Sequence, residues 1–420
     1  MTDNTNQRLL ATLRMQRMTQ RIRCGPTQAM LVSDCLGSCI SQPPPQPDKQ
    51  VDKQSNVGLT DTLSGRPVYL GAVYRDEGHG SNVEWYRQTA KQSDPSAQFH
   101  LGTLYEEEAR SGIEQSRSQA LHWYHQAAEQ GHVEAQFQLG MLYSEGDLVD
   151  ANAQEAFHWY RLAANQDHVV AQFNLGVLYE EGRGVERNVS QALRWFLKAA
   201  QQGDMEAKYS VGVIYDRGQG GIPQDLKEAA YWYYQAAQQG HAIAQFNLAS
   251  MYHNGVGVTK NMACAVKFYR MAAEQGDATA QFHMGVIYEG GIGVPQNFAE
   301  AVRWYLLSAK QGYRPAQQNV GVLFLRCVSG VPVDYEQAFY WTKQAAERGH
   351  VTAQVNMGIM YQHGHGTQKN LVLSHMWYNL AASADNASGV KGRDDLANIM
   401  TKDQIALAQR LALEFKPLED

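Results

Sequence analysis

Ala171-Gln172-Phe173-Asn174-Leu175-Gly176-Val177-Leu178-Tyr179, a turn through Gly182 and Gly184, then Ala192-Leu193-Arg194-Trp195-Phe196-Leu197-Lys198-Ala199-Ala200 closing on Gly203, form one copy of a unit that recurs along most of the chain. The aromatic of its second half returns as Trp85, Trp123, Trp159, Trp195, Trp232, Phe268, Trp304, Trp341 and Trp377, at spacings of 38, 36, 36, 37, 36, 36, 37 and 36 residues. All eight tryptophans of the chain lie in that column. The tyrosine of the first half repeats in parallel as Tyr74, Tyr105, Tyr143, Tyr179, Tyr215, Tyr252, Tyr288, Phe324 and Tyr361. A fixed period in this range marks a solenoid, in which each unit packs only on its neighbours and a common core runs through the array.

The first half of each unit carries an alanine at Ala97, Ala135, Ala171, Ala207, Ala244, Ala280, Ala316 and Ala353. Counting that alanine as zero, positions 0, 2, 4, 7 and 8 are apolar and position 5 is usually glycine. On a helix these positions cover most of the circumference, so the helix must be sandwiched between others. Glycine there lowers helix propensity by about 1 kcal/mol relative to alanine, and close approach of another backbone is the expected reason to keep it. The second half reads Ala-x-x-Trp-aromatic-x-x-Ala-Ala-x-x-Gly, as in Ala229, Trp232, Tyr233, Ala236, Ala237 and Gly240. Its alanines make a smooth packing face, and the final glycine suits the left-handed residue after a last helical turn. The ring of the tryptophan column is read as structural, filling the junction between units.

Outside the array, residues 1–60 carry Arg8, Arg14, Arg17, Arg21 and Arg23 with no acid between Asp3 and Asp34. Their apolar residues do not line up on one helical face, so this basic tail is expected to be disordered, leading into a linker at Pro43-Pro44-Pro45-Gln46-Pro47. A formal net charge of -6 and the lack of a basic face argue against nucleic-acid binding. No run approaches the ~18 apolar residues of a transmembrane span. The units carry no cysteine pairs, so packing must hold them together, and Cys35 and Cys39 lack a second pair at metal-ligand spacing. No cofactor or metal is expected.

These residues resemble the Sel1-like repeat, a relative of the tetratricopeptide repeat, over 66–416. Past the last unit, Arg393-Asp394-Asp395-Leu396 and Met400 to Arg410 look like the closing helices of bacterial members, with Thr401 and Gln404 at capping-box spacing. The local departures are Glu108 at a turn glycine, Gln318 at a first-helix aromatic, Ala249 at the helical glycine and a distorted turn over 327–333. The expected fold is all-α: a right-handed α-solenoid of about nine antiparallel helix pairs over 61–385, with closing helices over 386–420.

Two stripes are candidate binding surfaces. At first-helix position 3 the chain places His100, Gln138, Asn174, Ser210, Asn247, His283, Asn319 and Asn356. Amide side chains on a concave groove can hydrogen-bond an extended peptide backbone, and the competing reading is an internal ladder that satisfies neighbouring helices. On the second helices, His122, His125, His158, Arg161, Arg194, Lys267, Arg270, Arg303 and Lys343, interleaved with Tyr231, Tyr234 and Tyr340, suit an acidic partner or form a solvated face. Ser388-Gly389-Val390-Lys391 spells S-x-x-K, but the S-D-N and K-T-G elements that accompany it in penicillin-recognising enzymes are absent from the sequence. His363 and His365 flank Gly364 with no nearby carboxylate or third histidine.

The resemblance therefore implies a non-catalytic scaffold that binds a protein or peptide along its concave face. A β-lactamase-like or cell-wall-directed hydrolase and an exported effector engaging host proteins are the alternatives. A cytoplasmic location is expected, with export or envelope association as the alternative, and the oligomeric state is left open.

Overall fold

The computed structural model describes residues 79–146 and 148–418, and the tail over 1–60 lies outside them. Helix α1 (His79–Lys91) precedes α2 (Pro95–Arg110), which packs on α3 (Glu114–Glu129). The pairs continue as α4 (Val133–Glu145) with α5 (Ala153–Asn165), α6 (Val169–Glu181) with α7 (Val189–Gln201), and α8 (Met205–Arg217) with α9 (Leu226–Gln238). They run on through α10 (Ala242–Asn254) with α11 (Met262–Glu274), α12 (Ala278–Gly290) with α13 (Phe298–Lys310), α14 (Arg314–Leu325) with α15 (Tyr335–Glu347), and α16 (Val351–His363) with α17 (Leu371–Ser383). Helices α18 (Ala387–Ala397) and α19 (Lys402–Glu414) close the array, the latter through the capping box of Thr401 and Gln404. Among the described residues there is no strand, only an isolated bridge between Val328 and Val331.

The chain is thus an all-α solenoid in which each helix from α1 to α18 packs on its neighbours in sequence, while α19 packs on α17. Eight pairs are complete; α1 is the second half of a ninth, whose first-helix sequence at 68–74 lies outside the described residues. Each first helix starts at a side-chain cap, either a carboxylate (Asp94, Asp204, Asp277) or the Nδ1 of a histidine (His132, His168, His241, His350). The exception is α14, where Tyr313 makes no side-chain cap bond and packs on Phe282.

The helical glycine has a different partner from the one expected. A Cβ on Gly176 would lie 2.6 Å from the ring of Phe196, and one on Gly102 would lie 2.7 Å from the ring of Tyr124. The same notch receives Tyr160 at Gly140, Tyr233 at Gly212, Tyr305 at Gly285 and Tyr378 at Gly358. A ring from the second helix of the same pair, rather than another backbone, therefore requires the glycine. Close backbone approach occurs instead at a later turn glycine, where a side chain on Gly184 would run into the carbonyl of Ala153.

The ring that follows the tryptophan column is accordingly among the deepest side chains in most pairs: Tyr124, Phe196, Tyr233, Tyr269 and Tyr305 are all fully buried. The tryptophan column has the junction role. Trp159 joins a cluster with Ala120 and Tyr124 of the preceding pair, and Trp195, Trp232, Trp304 and Trp341 likewise join clusters holding Tyr160, Phe196, Tyr269 and Tyr305 of the pair before each. Trp159, Phe268, Trp304, Trp341 and Trp377 are buried, whereas Trp123, Trp195 and Trp232 are half-buried. Trp85, read as core, is 59% exposed, and the first helix it would cover lies outside the described residues.

A second network joins the pairs. The buried glutamine at first-helix position 1 donates to an alanine carbonyl of the preceding second helix, as in Gln136 to Ala128 (3.0 Å) and Gln172 to Ala164 (3.1 Å). Its carbonyl accepts from the glutamine that ends its own pair, as in Gln166 to Gln136 and Gln202 to Gln172, both 2.8 Å. That closing glutamine also donates to the preceding pair, Gln202 reaching the carbonyl of Asp167 at 3.1 Å. Where Lys208 replaces the buried glutamine the polarity reverses, and its Nζ donates to Gln239 at 2.9 Å. A buried carbonyl deprived of its donor costs about 1–3 kcal/mol. Gln172→Leu, although apolar and of similar size, is expected to lower stability by about that amount in urea denaturation, since it removes the side-chain donor to the Ala164 carbonyl and the buried acceptor of Gln202.

Candidate functional site

The position-3 ladder lies where successive pairs meet, because the tyrosine in each glycine notch carries its hydroxyl to that seam. Tyr233 donates to Asp216 at 3.2 Å and Tyr305 to Glu289 at 2.7 Å, while Tyr124 donates to Glu106. The position-3 residue of the following pair meets the same hydroxyl or its acid: Asn174 acts on the Tyr160 hydroxyl, Asn247 on that of Tyr233 and Asn319 on that of Tyr305, each partly offsetting the upward push of burial on the phenol. Gln138 donates to both carboxylate oxygens of Glu106, at 3.2 and 3.0 Å. Burial pushes these phenols well above their ordinary range, so each hydroxyl stays protonated and donates to the acid. In the pair whose ring is Phe196 there is no hydroxyl to satisfy, and the following position 3 is Ser210.

Gln138, Asn174, Ser210, Asn247, Asn319 and Asn356 are half-buried, and His100 is exposed beside Tyr86 and Phe99. An amide has about four hydrogen-bonding sites, so one bond across the seam leaves capacity on the first-helix face. His283 differs. It is 3% exposed and stacks on Tyr269, with ring centroids 5.1 Å apart. The preceding pair, whose Tyr269 it meets, is the one in which Ala249 stands in place of the helical glycine and His253 at the usual place of the acid.

The basic stripe on the second helices is tied to its own surroundings. Lys198 lies 4.3 Å above the Trp195 ring, and Arg161 and Arg303 lie over Phe157 and Trp304, each at 5.6 Å. Arg270 donates to the Tyr288 hydroxyl at 2.7 Å, His125 pairs with the Tyr143 hydroxyl at 3.2 Å, and Lys343 pairs with Glu347 at 3.6 Å. His122, His158 and Arg194 are exposed, as is Tyr340, while Tyr231, Tyr234 and Lys267 are half-buried. Ser388 and Lys391 are both exposed on α18, so the S-x-x-K spelling does not build a nucleophile and base inside a cleft. His363 and His365 stack on each other, and His365 stacks on Tyr335. Among the described residues no group of three metal-ligating side chains forms, and no helix is long and apolar enough to cross a membrane.

The Tyr hydroxyl seam and the buried glutamines are the polar features that reading the tryptophan column misses. A signal existed for the latter: glutamine follows the first-helix alanine at Gln98, Gln136, Gln172, Gln245, Gln281, Gln317 and Gln354, inside an otherwise apolar stretch.

Burial, with the nearby positive potential of His253, holds His283 neutral down to about 3, against an ordinary 6.5. Burial and then Lys260 lower His253 as well. Because the folded value lies below the unfolded one, the unfolded chain takes up the proton first. The stability from neutral His283 is therefore fully present above about 6.5 and is lost as pH falls towards about 3. Replacing His283 with asparagine, the commonest residue of its column, is expected to flatten the fall in urea midpoint between pH 7.5 and 5. An unchanged slope contradicts this assignment.

Comparison with known proteins accords with this architecture. The Sel1 repeat profile matches residues 95–132, 133–168, 169–204, 206–241, 242–277, 278–313, 315–350 and 351–386. A Sel1 repeat protein from Oxalobacter formigenes is 34% identical with a TM-score of 0.59, the match covering 74% of this chain and 89% of that one. A protective antigen of uropathogenic Escherichia coli strains, displaying the same repeat fold, is 26% identical with a TM-score of 0.50 over 79% of this chain and 94% of that one. None of the curated proteins compared with the chain matches it significantly. Proteins built from this repeat are generally protein-interaction scaffolds. With eight consecutive units matched over most of its length, the chain belongs to the Sel1 repeat family.

Proposed function

We propose that this chain is a non-catalytic scaffold that binds an extended segment of a partner protein along its first-helix face. The observation that carries the reading is the recurrence of one polar side chain at the same register of eight successive first helices, six of them half-buried. Gln138 is held by Glu106 at the seam behind it, and Asn174, Asn247 and Asn319 sit beside the tyrosine hydroxyls there, so the remaining donors and acceptors of these amides are pre-oriented. Pre-orientation lowers the entropy lost on binding, and a peptide backbone supplies the matching alternation of carbonyl and N–H groups. The different-class reading, a hydrolase acting on β-lactams or cell-wall material, needs a nucleophile and base in one pocket, and the exposed Ser388 and Lys391 do not supply one.

The test separates binding from the structural duty of the same amides. In a crosslinking pull-down with the full chain, Asn174→Ala/Asn247→Ala/Asn319→Ala is compared with Tyr160→Phe/Tyr233→Phe/Tyr305→Phe. Both triple variants disturb the tyrosine seams, the phenylalanine variant at least as much because it also loses the bonds to Asp216 and Glu289; only the first removes the amides from the face. Loss of a specific partner in the asparagine variant, with retention in the phenylalanine variant, is the expected outcome. Equal behaviour of the two contradicts a role for the ladder in binding.

A further inference from the structure

The regularity of the array allows each pair to be measured against the others, and repeat 315–350 departs in several places at once. In six pairs the first-helix aromatic packs on the second-helix ring that follows the tryptophan column. These are Phe99 on Tyr124, Phe137 on Tyr160, Phe173 on Phe196, Tyr209 on Tyr233, Phe246 on Tyr269 and Phe282 on Tyr305, with centroids 5.6 to 5.9 Å apart. In repeat 315–350 both rings are gone. Gln318 stands for the first and Thr342 for the second, 5% and 0% exposed. Gln318 Oε1 and Thr342 Oγ1 are buried without a hydrogen-bond partner.

A third orphan has a separate cause. Gln317 is the buried glutamine of this repeat, and it donates to the carbonyl of Ala309 like its counterparts. Its own carbonyl needs the glutamine that closes the pair, as Gln311 serves Gln281 at 2.8 Å. Arg348 occupies that place, and its guanidinium turns back to Gln344 on its own helix. Gln317 Oε1 is left buried and unpartnered. The turn departs too: Arg326 ends α14 in extended backbone with φ of -103°, where most other first helices end in a left-handed glycine.

Buried acceptors without donors and missing ring pairs both cost stability, and in a solenoid such costs stay local because each repeat interacts only with its neighbours. We propose that repeat 315–350 is a weak joint built into the array. Its two helices open while the repeats before and after it stay folded, which lets 95–313 and 351–414 change their mutual orientation without global unfolding.

Hydrogen exchange of the full chain, followed by mass spectrometry under native conditions, tests this. Amides of α14 and α15 are expected to exchange at least about tenfold faster than the equivalent amides of α12 and α13 on one side and of α16 and α17 on the other. The comparison with α16 and α17 excludes fraying from the carboxyl end: exchange that rises steadily towards α19 overturns the proposal, as does equal protection of all three repeats. Two variants probe the cause. Gln318→Phe/Thr342→Tyr restores the ring pair, and Arg348→Gln restores the donor to Gln317 without altering the buried core. Slower exchange of α14 in Arg348→Gln is expected even if the double variant fails to fold, and unchanged exchange contradicts the orphaned-carbonyl argument.

Discussion

An aromatic ring lying against the backbone of a helical glycine is the contact on which this structure depends. At Gly102, Gly140, Gly176, Gly212, Gly285 and Gly358 no side chain fits in front of the ring that the second helix delivers. The ring brings the two helices of a pair within the reach of a glycine rather than an alanine. The alanine faces then close around it, as Ala192, Ala199 and Ala200 do in the pair of Gly176 and Phe196. Once the ring is seated, its hydroxyl is carried to the seam with the next pair, where an acid and an amide receive it. One residue therefore organises both the packing inside a repeat and the polar contact between repeats, which is why a single unit can be copied along the chain with so little variation.

Most of the fold was legible in the sequence because a repeat displays its register many times. The alternation of helices, the tryptophan junctions and the capping box of Thr401 follow from spacing alone. What spacing cannot supply is the partner across an interface. The helical glycine was correctly read as a site of close approach, yet periodicity assigns a face and not the group that meets it, so the ring was mistaken for backbone. The tryptophan column drew attention by its chemistry, whereas the deeper residue is the smaller ring after it. The histidine caps of α4, α6, α10 and α16 were also missed, because a histidine before a helix is a less common signal than serine or aspartate.

The candidate binding ladder was legible as residues, but its two readings were not separable from sequence. The geometry shows that they need not exclude each other. An amide that bonds a group behind it, as Gln138 bonds Glu106, is anchored, and an anchored amide is a better recognition element than a free one. A ligand lying along the first-helix face would meet groups whose orientation is set by the joint between two repeats, so binding and the stiffness of the array would be linked through the same atoms. The second-helix stripe has less to offer a partner, because several of its cations already lie over rings or pair with hydroxyls on their own surface.

The measurement that tests the central claim most directly is a double-mutant cycle on the ring and its notch, using Gly176→Ala and Phe196→Leu alone and together in urea denaturation. If the ring requires the glycine, Gly176→Ala destabilises the chain when Phe196 is present. With Leu at position 196 the same change becomes neutral or stabilising, reflecting the ~1 kcal/mol by which alanine is the better helix former. Equal effects of Gly176→Ala in the two backgrounds would mean that the ring and the glycine are independent, and that something other than their contact sets the spacing of the helices.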